Sequence, residues 1–326
     1  MKSGKLNWDD LKAVINNNKT IKREDVRVRN GIGEDCAVIN FGDYECVIST
    51  DPITGASKNL GRLAVHINCN DVASCGVEPL GILVTILAPE GTTLEEINNV
   101  MKQIDEETSK INVEILGGHT EVTRAVNQMV LSCTVLGKAI VGKAVSTKGA
   151  QIGDDLVVTK YLAIEGTNIL VNDYRGLFES VLTKEEISEA ENLISEISVI
   201  KEGNIAGKFG VNSMHDITEG GVLGALWEMV KASGLGFEVY EENMPVKEVT
   251  QKVCSQLKID PLKLISSGSM LISTKDGEAL VKLLMEKGIN AKIIGNITKE
   301  KGILVRKGKK EIVPPPERDE LFNINL

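Results

Sequence analysis

Gly31-Ile32-Gly33-Glu34-Asp35-Cys36-Ala37-Val38-Ile39 is the stretch on which the reading turns. Two glycines lead to an acidic pair, and a run with strand character follows. Alone, such a turn is explained as well by Asp35 shaping the backbone as by Asp35 binding a ligand. Working outward, strands are expected over 36–41 and 44–50, with Gly42-Asp43 as the turn between them. The second strand ends in Ser49-Thr50-Asp51-Pro52. A helix over 60–73 follows and carries Asp71. A continuous apolar run over 80–87 reads as a buried strand. A helix over 93–110 has Thr92 or Thr93 as N-cap and Glu95-Glu96 in its first turn. Strands over 113–116 and 128–137 flank the turn-like Gly117-Gly118-His119-Thr120-Glu121. A short helix over 8–17 precedes everything. The order ββαβαββ points to an α+β layer, with helices on one face of a largely antiparallel sheet.

The chain of 326 residues is long enough for two domains, each able to bury a core. With 42% hydrophobic and 25% charged residues, the composition is that of an ordinary globular protein. Aromatics make up only 3%, so the cores must rest on Ile, Leu, Val and Ala. A formal net charge of -9 argues against a nucleic-acid backbone as partner, because no basic excess exists to displace counterions. The lysines between 299 and 310 are interrupted by Gly302-Ile303-Leu304-Val305 and read as an exposed hairpin. The six cysteines form no CxxC pair and read as reduced, mostly buried thiols. The first ten residues lack the apolar core of a signal peptide, and no apolar run approaches ~18 residues. A cytoplasmic protein without membrane or nucleic-acid partners is the expectation.

A stretch rich in Gly and Lys over 138–155 marks the domain boundary, placed near 148. The N-terminal domain then covers 1–148 and the C-terminal α/β domain 149–326. The second half opens with a strand over 155–159 and continues with helices over 183–197 and 198–209. A short strand over 212–215 leads into Asp216-Ile217-Thr218-Glu219-Gly220-Gly221, and a helix over 222–232 follows. The tail Pro314-Pro315-Pro316 closes the fold or docks on it.

Asp35, Asp51, Asp71 and Glu121 all lie at or near the ends of elements or in a helix. Mg²⁺ prefers hard oxygen ligands and is usually held by one or two carboxylates together with phosphate oxygens. Several carboxylates at strand ends can converge on one edge of a sheet. Each alone is equally a cap or turn former, but Asp71 stands out: a carboxylate on an otherwise apolar helix face is costly to bury unpaired. The Gly220-Gly221 turn opening a helix exposes backbone N–H groups to an anion, or is simply a tight turn with Asp216 or Thr218 as N-cap. Gly137 to Ala144 nearly matches a P-loop but ends in Ala and precedes no helix, so it is set aside. His66 reads as structural. His119 and His215 lie beside carboxylates, and a transition-metal site shared by them is a minor alternative to acid–base or phosphate-contacting roles.

Taken in order, these segments resemble the superfamily of aminoimidazole-ribonucleotide (AIR) synthase. Its members include the hydrogenase-maturation protein HypE, selenophosphate synthetase and thiamine-monophosphate kinase. The stretches that carry the resemblance are Gly31 through Ile39, Ser49-Thr50-Asp51-Pro52, Asn70-Asp71-Val72-Ala73-Ser74-Cys75-Gly76-Val77-Glu78-Pro79, Gly117-Gly118-His119-Thr120-Glu121-Val122, Gly153-Asp154-Asp155-Leu156, Met214 through Gly224, and Ser266-Ser267-Gly268-Ser269. No one of them is specific, but the ordered set is. The Asp216–Gly221 segment looks most like HypE and its close relatives.

The resemblance implies a PurM-like two-domain architecture. Its N-terminal α+β domain has a ferredoxin-like sheet that pairs with a second copy into a dimer barrel, and an α/β domain packs beside it. It implies ATP and Mg²⁺ in a groove near the dimer interface. Asp35, Asp51, Asp71 and Glu121 would hold the metal, and Gly33, Thr120, Gly220 and Gly221 would join the four carboxylates in holding the nucleotide. His119 or Asp216 would contact the reacting group. The implied chemistry is phosphorylation of an amide, a carboxamide or another small acceptor, with a maturation partner protein as a further expectation.

Two departures bear on this. HypE-like proteins act on a C-terminal Cys, whereas the last cysteine here is Cys254. His119 also stands where the family's Gly-Asp-Thr turn carries Asp. The alternatives are a nucleotide-binding scaffold that acts through a partner, a phosphotransferase of the thiamine-monophosphate-kinase or selenophosphate-synthetase type, and a metal-dependent hydrolase using His119 and His215. The absence of cysteine from the first 30 residues counts against selenophosphate synthesis.

Overall fold

The computed structural model describes residues 6, 8–17, 21–29, 31–54, 59–316 and 318–324. Most of the opening residues read above for a signal peptide lie outside these. Helix α1 (Trp8–Asn17) precedes a six-stranded sheet. The sheet's elements are β1 (Val26–Val28), β2 (Ala37–Phe41), β3 (Tyr44–Ile53), β4 (Pro79–Ala88), β5 (Glu114–Val122) and β6 (Val130–Ile140). Helix α2 (Leu60–Ser74) links β3 to β4, and α3 (Leu94–Lys110) links β4 to β5. The strand order is β1-β2-β3-β6-β4-β5, and only β4 and β5 run parallel. They are the pair joined through a helix, as a parallel crossover requires. Helix α3 starts where its sequence demands: Thr93 and Glu96 form a reciprocal capping box.

Period-two alternation puts Val47, Ile82, Val84, Ile86, Leu131, Cys133 and Val135 on one face, buried against Leu63, Ala64, Cys69 and Val72 of α2 and Ile104 of α3. Among the described residues the opposite face has no helix over it.

One expectation fails here. The segment 117–121 is not a turn after a short strand; it lies inside β5. The glycines misled because Gly-Gly usually punctuates. Here they allow close approach: a Cβ on Gly118 would lie 1.8 Å from the Val84 carbonyl oxygen. A bulge at Leu116 shifts the register just before them, so that Thr85 faces His119 and Leu87 faces Glu121.

The second half holds a seven-stranded sheet of order β13-β12-β9-β11-β7-β10-β8. Its strands are β7 (Asp155–Thr159), β8 (Ser213–Ile217), β9 (Gly236–Tyr240), β10 (Ser269–Thr274), β11 (Ala291–Thr298), β12 (Ile303–Arg306) and β13 (Lys309–Ile312). Helices α4 (Ile164–Asp173), α5 (Lys184–Asn192), α6 (Ile200–Phe209), α7 (Gly221–Ser233), α8 (Glu248–Leu257) and α9 (Gly277–Glu286) alternate with them. Neighbouring strands are antiparallel except β9 and β12. The lysine-rich hairpin expected near 299–310 is β12–β13. Helix α4 was not anticipated. Its Gly166, Thr167 and Asn168 are weak helix formers, held in place by burial.

The two halves meet backbone to backbone. A Cβ on Gly203 of α6 would lie 2.1 Å from the Ala73 carbonyl oxygen at the end of α2. A Cβ on Gly207 would lie 2.7 Å from the Gly76 carbonyl oxygen. Asn70 of α2 completes the seam: its Nδ2 donates to the Ile197 carbonyl, and its Oδ1 accepts from the Val199 N–H, both at 2.9 Å.

Candidate nucleotide and metal site

The Gly31–Glu34 turn is pinned before it delivers Asp35. Gly33 has φ of +79°, and a Cβ there would lie 2.8 Å from the Glu228 carbonyl oxygen, so only glycine fits. Glu34 Oε1 accepts from Ser146 Oγ at 2.5 Å and from the Lys148 N–H at 3.3 Å. Asp35 thus reaches into the C-terminal half. There its Oδ2 lies 2.8 Å from Nδ1 of His215, on β8.

His215 is buried, and its other nitrogen, Nε2, lies 2.5 Å from Oε2 of Glu228 on α7. Burial alone would lower the imidazole's proton affinity. The charges and hydrogen bonds of Asp35 and Glu228 outweigh that and hold its pKa well above the ordinary histidine value. His215 thus lies between two carboxylates, hydrogen-bonded to Glu228 through Nε2 and in close ionic contact with Asp35 through Nδ1, an environment that favours its protonated form.

Asp216 follows on the same strand and is buried. Ligand atoms of Asp35, His215 and Asp216 all lie within 4.8 Å of one another. Asp71 reaches the group from α2 and accepts a 2.5 Å hydrogen bond from Ser49 Oγ of β3. Burial, then the charges of Asp216, Asp35 and Asp51, push the Asp71 carboxyl well above the usual carboxylate range. Asp51 is exposed on β3, where its N–H donates to Asn68 Oδ1 of α2 at 2.8 Å.

The donor set fits a hard dication. Several carboxylates from two domains crowd together, and their mutual repulsion is what such an ion relieves. The histidine in the group already has both nitrogens on carboxylates, so oxygen is the chemistry on offer.

The remaining sequence candidates lie elsewhere. Register groups Asp51 with Cys133 and Val84 on the helix-packed side of the sheet, and groups Thr85 with His119 and Leu87 with Glu121 on the other side. The side chains of His119 and Glu121 therefore share the uncovered face. There His119 Nε2 and Glu121 Oε2 lie 3.5 Å apart, with both side chains more than half exposed. Among the described residues of this chain Glu121 does not join Asp35 and Asp71, and His119 does not meet His215, so the chain by itself does not assemble the transition-metal alternative. Thr120 belongs to the helix-packed side but is exposed on an edge strand.

Gly220 and Gly221 do open α7, as the motif suggested. The anion at that helix end is supplied by the chain itself: the Gly220 N–H donates to Asp319 Oδ2 at 2.6 Å. Glu228 and Asp319 were missed in the sequence. Glu228 carried a signal, since it is a buried carboxylate in an apolar helix, the argument already applied to Asp71.

The chain matches the model of the AIR synthase related protein N-terminal domain over residues 33–139, and that of the C-terminal domain over 151–307. It is 33% identical over 316 residues to a putative hydrogenase expression/formation protein of Methanocaldococcus jannaschii, covering 93% of this chain and 91% of that one. Its fold matches the HypE–HypF complex structure with a TM-score of 0.78 at 23% identity, covering 94% of this chain and 99% of that one. It also matches hydrogenase maturation protein HypE in complex with ATP, with a TM-score of 0.70 at 23% identity, covering 90% and 92%. With two PurM-like domains in order and motifs matched along nearly the whole chain, this protein belongs to the AIR synthase related family.

Proposed function

We propose that this chain is a Mg²⁺-ATP-dependent enzyme of the HypE type that phosphorylates an amide, a carboxamide or a comparable small acceptor. The observation that carries the reading is the carboxylate group drawn from both domains: Asp35 and Asp71 from the first, Asp216 from the second. A HypE of the same fold is known in complex with ATP. Mg²⁺, when bound, would neutralise charge on the polyphosphate and help align it for in-line transfer.

The chain's own contribution is positioning. Ser49 fixes the Asp71 carboxylate, and His215, steadied by Glu228, holds Asp35 against β8. Asp216, buried at the end of β8, would contact the reacting end of the acceptor in this reading. His215 has a carboxylate against each ring nitrogen, so in this reading it orients Asp35 rather than acting as general base.

The protein works as a homodimer in this reading. The uncovered face of the N-terminal sheet presents Tyr44, Leu83 and Ile140, all large and exposed. Such a face calls for a partner, and a second copy closes it into a barrel. His119 and Glu121 would then serve the partner's site rather than their own. Titration calorimetry tests the core claim. Mg-ATP should bind with sub-millimolar affinity, and no heat at millimolar nucleotide would sink it.

A second reading, a nucleotide-binding subunit acting through a maturation partner, draws on the likeness to HypE held by HypF. Nucleotide binding without turnover across a panel of amides and small acceptors, together with a stable complex on co-purification, would favour it.

A further inference from the structure

A second group of acids stands just beyond the C-terminal end of β8. In the sheet Met270 of β10 faces Asp216 and Ser269 faces Ile217, so the chain before β10 comes alongside the Thr218–Gly221 turn. There the Ser267 N–H donates at 3.2 Å to Oε2 of Glu165, a buried residue in the first turn of α4. The Gly166 N–H donates to the Ile265 carbonyl at 3.1 Å and ties the same segment to α4. Asp319 is buried too, with Oδ2 on the Gly220 N–H at 2.6 Å and Oδ1 on the Leu321 N–H at 2.8 Å. Glu219, half-buried, belongs to the turn itself. Glu165, Glu219 and Asp319 lie near enough for their charges to act on one another. Among the described residues no Lys, Arg or His forms an ion pair with any of the three.

We propose, resting on the nucleotide reading above, that this end of the site sets the charge of the acceptor. It admits a neutral or cationic group that bears N–H donors and turns away anions, phosphate monoesters above all, with Glu219, Asp319 and Glu165 as the residues that discriminate. Asp216, given above to the acceptor's reacting end, precedes Glu219 by three residues, a span of no more than about 11 Å of chain. Substituents of an acceptor held at Asp216 therefore reach into the field of these acids.

The backbone gives an anion no compensation. A helix end such as that of α7 ordinarily offers its first amides to a phosphate. Here the Gly220 N–H is taken by Asp319 and the Gly221 N–H by the Thr218 carbonyl, at 3.1 Å. Asp319 is in effect a permanent anion supplied by the chain, and it leaves a second one facing like charge. Repulsion between like charges is far stronger in a partly desolvated cleft than in water, and it rejects the wrong acceptor without any contact to the right one. Amide N–H groups, ammonium and guanidinium are the groups that carboxylates accept from. Burial pushes the Glu165 carboxyl up to about 7 and the Asp319 carboxyl up to about 6. An added anion would have to be met by more protons on them, whereas a donor or a cation lets both ionise.

Two measurements on the full chain at about pH 8, where both buried acids are ionised, test the selection. The first uses no nucleotide. Phosphorus NMR follows the binding of inorganic phosphate and of thiamine monophosphate, the acceptor of the kinase alternative. Wild type should bind neither at millimolar concentration. The double variant Glu219→Gln, Asp319→Ala loses two charges and bares the Gly220 N–H, so it should gain at least ~tenfold in affinity for inorganic phosphate. The second measurement is ADP formation from Mg-ATP over a set of primary carboxamides, each paired with its carboxylate. The amide should be preferred at least ~tenfold in kcat/KM. Glu219→Gln with Asp319→Asn, which keeps an acceptor on the Gly220 N–H and so protects the fold, should narrow that preference. Wild type that binds either phosphate compound, wild type that uses carboxylates as readily as their amides, or a double variant folded by circular dichroism that gains no phosphate affinity overturns the proposal. If no pair yields ADP, the functional reading fails, and the phosphate comparison still decides whether this end of the site excludes anions.

Discussion

The two faces of the N-terminal sheet are made by the same strands and have opposite chemistry. On one, Val47, Val84 and Cys133 are sealed under α2, and Ser49 meets the buried Asp71. On the other, Leu83, Thr85, His119 and Glu121 stand uncovered. Residues adjacent in sequence, such as Thr120 and Glu121, belong to different faces and so to different jobs. A motif read along the chain mixes the two, and only the register separates them.

The sharpest way to break the contrast is to neutralise the packed face. Asp71→Asn should cost at least ~100-fold in Mg-ATP affinity by calorimetry, since it removes a carboxylate from a phosphate-bound dication. It should leave thermal stability level or raised, because it also removes a buried like charge. A variant that binds as wild type does would remove Asp71 from the site.

The uncovered face should respond in assembly instead. Leu83→Glu puts a charge in the middle of the proposed dimer face and should yield monomers by light scattering, with the far-ultraviolet circular dichroism of the protomer unchanged. A dimer that survives would mean that another surface pairs.

Neighbouring positions on β4 give a purely energetic version. Val84→Ala should cost about 1–2 kcal/mol in chemical denaturation, whereas Thr85→Ala should stay within about 0.5 kcal/mol.

The smallest effect sharpens the division of labour. Glu121→Ala should weaken nucleotide binding by about tenfold in the dimer, on the order of 1.4 kcal/mol. It should do nothing more in the Leu83→Glu background, where no partner site is left to serve. Loss of affinity in that monomer would place Glu121 in its own protomer's site.

Much of the fold was legible in the sequence because it is written in local code. The apolar run of β4, the capping box at Thr93 and the Gly42-Asp43 hairpin each specify their element within a few residues. Asp71 could be singled out by cost, as a carboxylate where burial was expected. What stayed hidden depends on distance or on register. The bulge at Leu116 decides which way His119 points, and nothing in the glycines announces whether they turn the chain or let β5 lie close to Val84. The pairing of Asp319 with Gly220 joins residues 99 positions apart, beyond the reach of any periodic pattern. Glu228 sits between these cases. It was visible as an odd residue in an apolar helix, but its partner His215 emerged only with the fold.

The glycine seam between α2 and α6 carries a last consequence. Because Gly203 and Gly207 set the spacing by backbone contact with Ala73 and Gly76, no side chain there can flex to absorb a change in separation. Asp71 sits on the same helix one residue from Asn70, which bonds across the seam. Buried side chains also cross here, Ala73 joining Val199 and Ala206, and Ile197 joining the core of the first half, so parting the domains would open core and carboxylate group together. The two halves, though built on separate sheets, should therefore melt as one cooperative unit, and the proposed dication site should be lost at the same temperature as the fold.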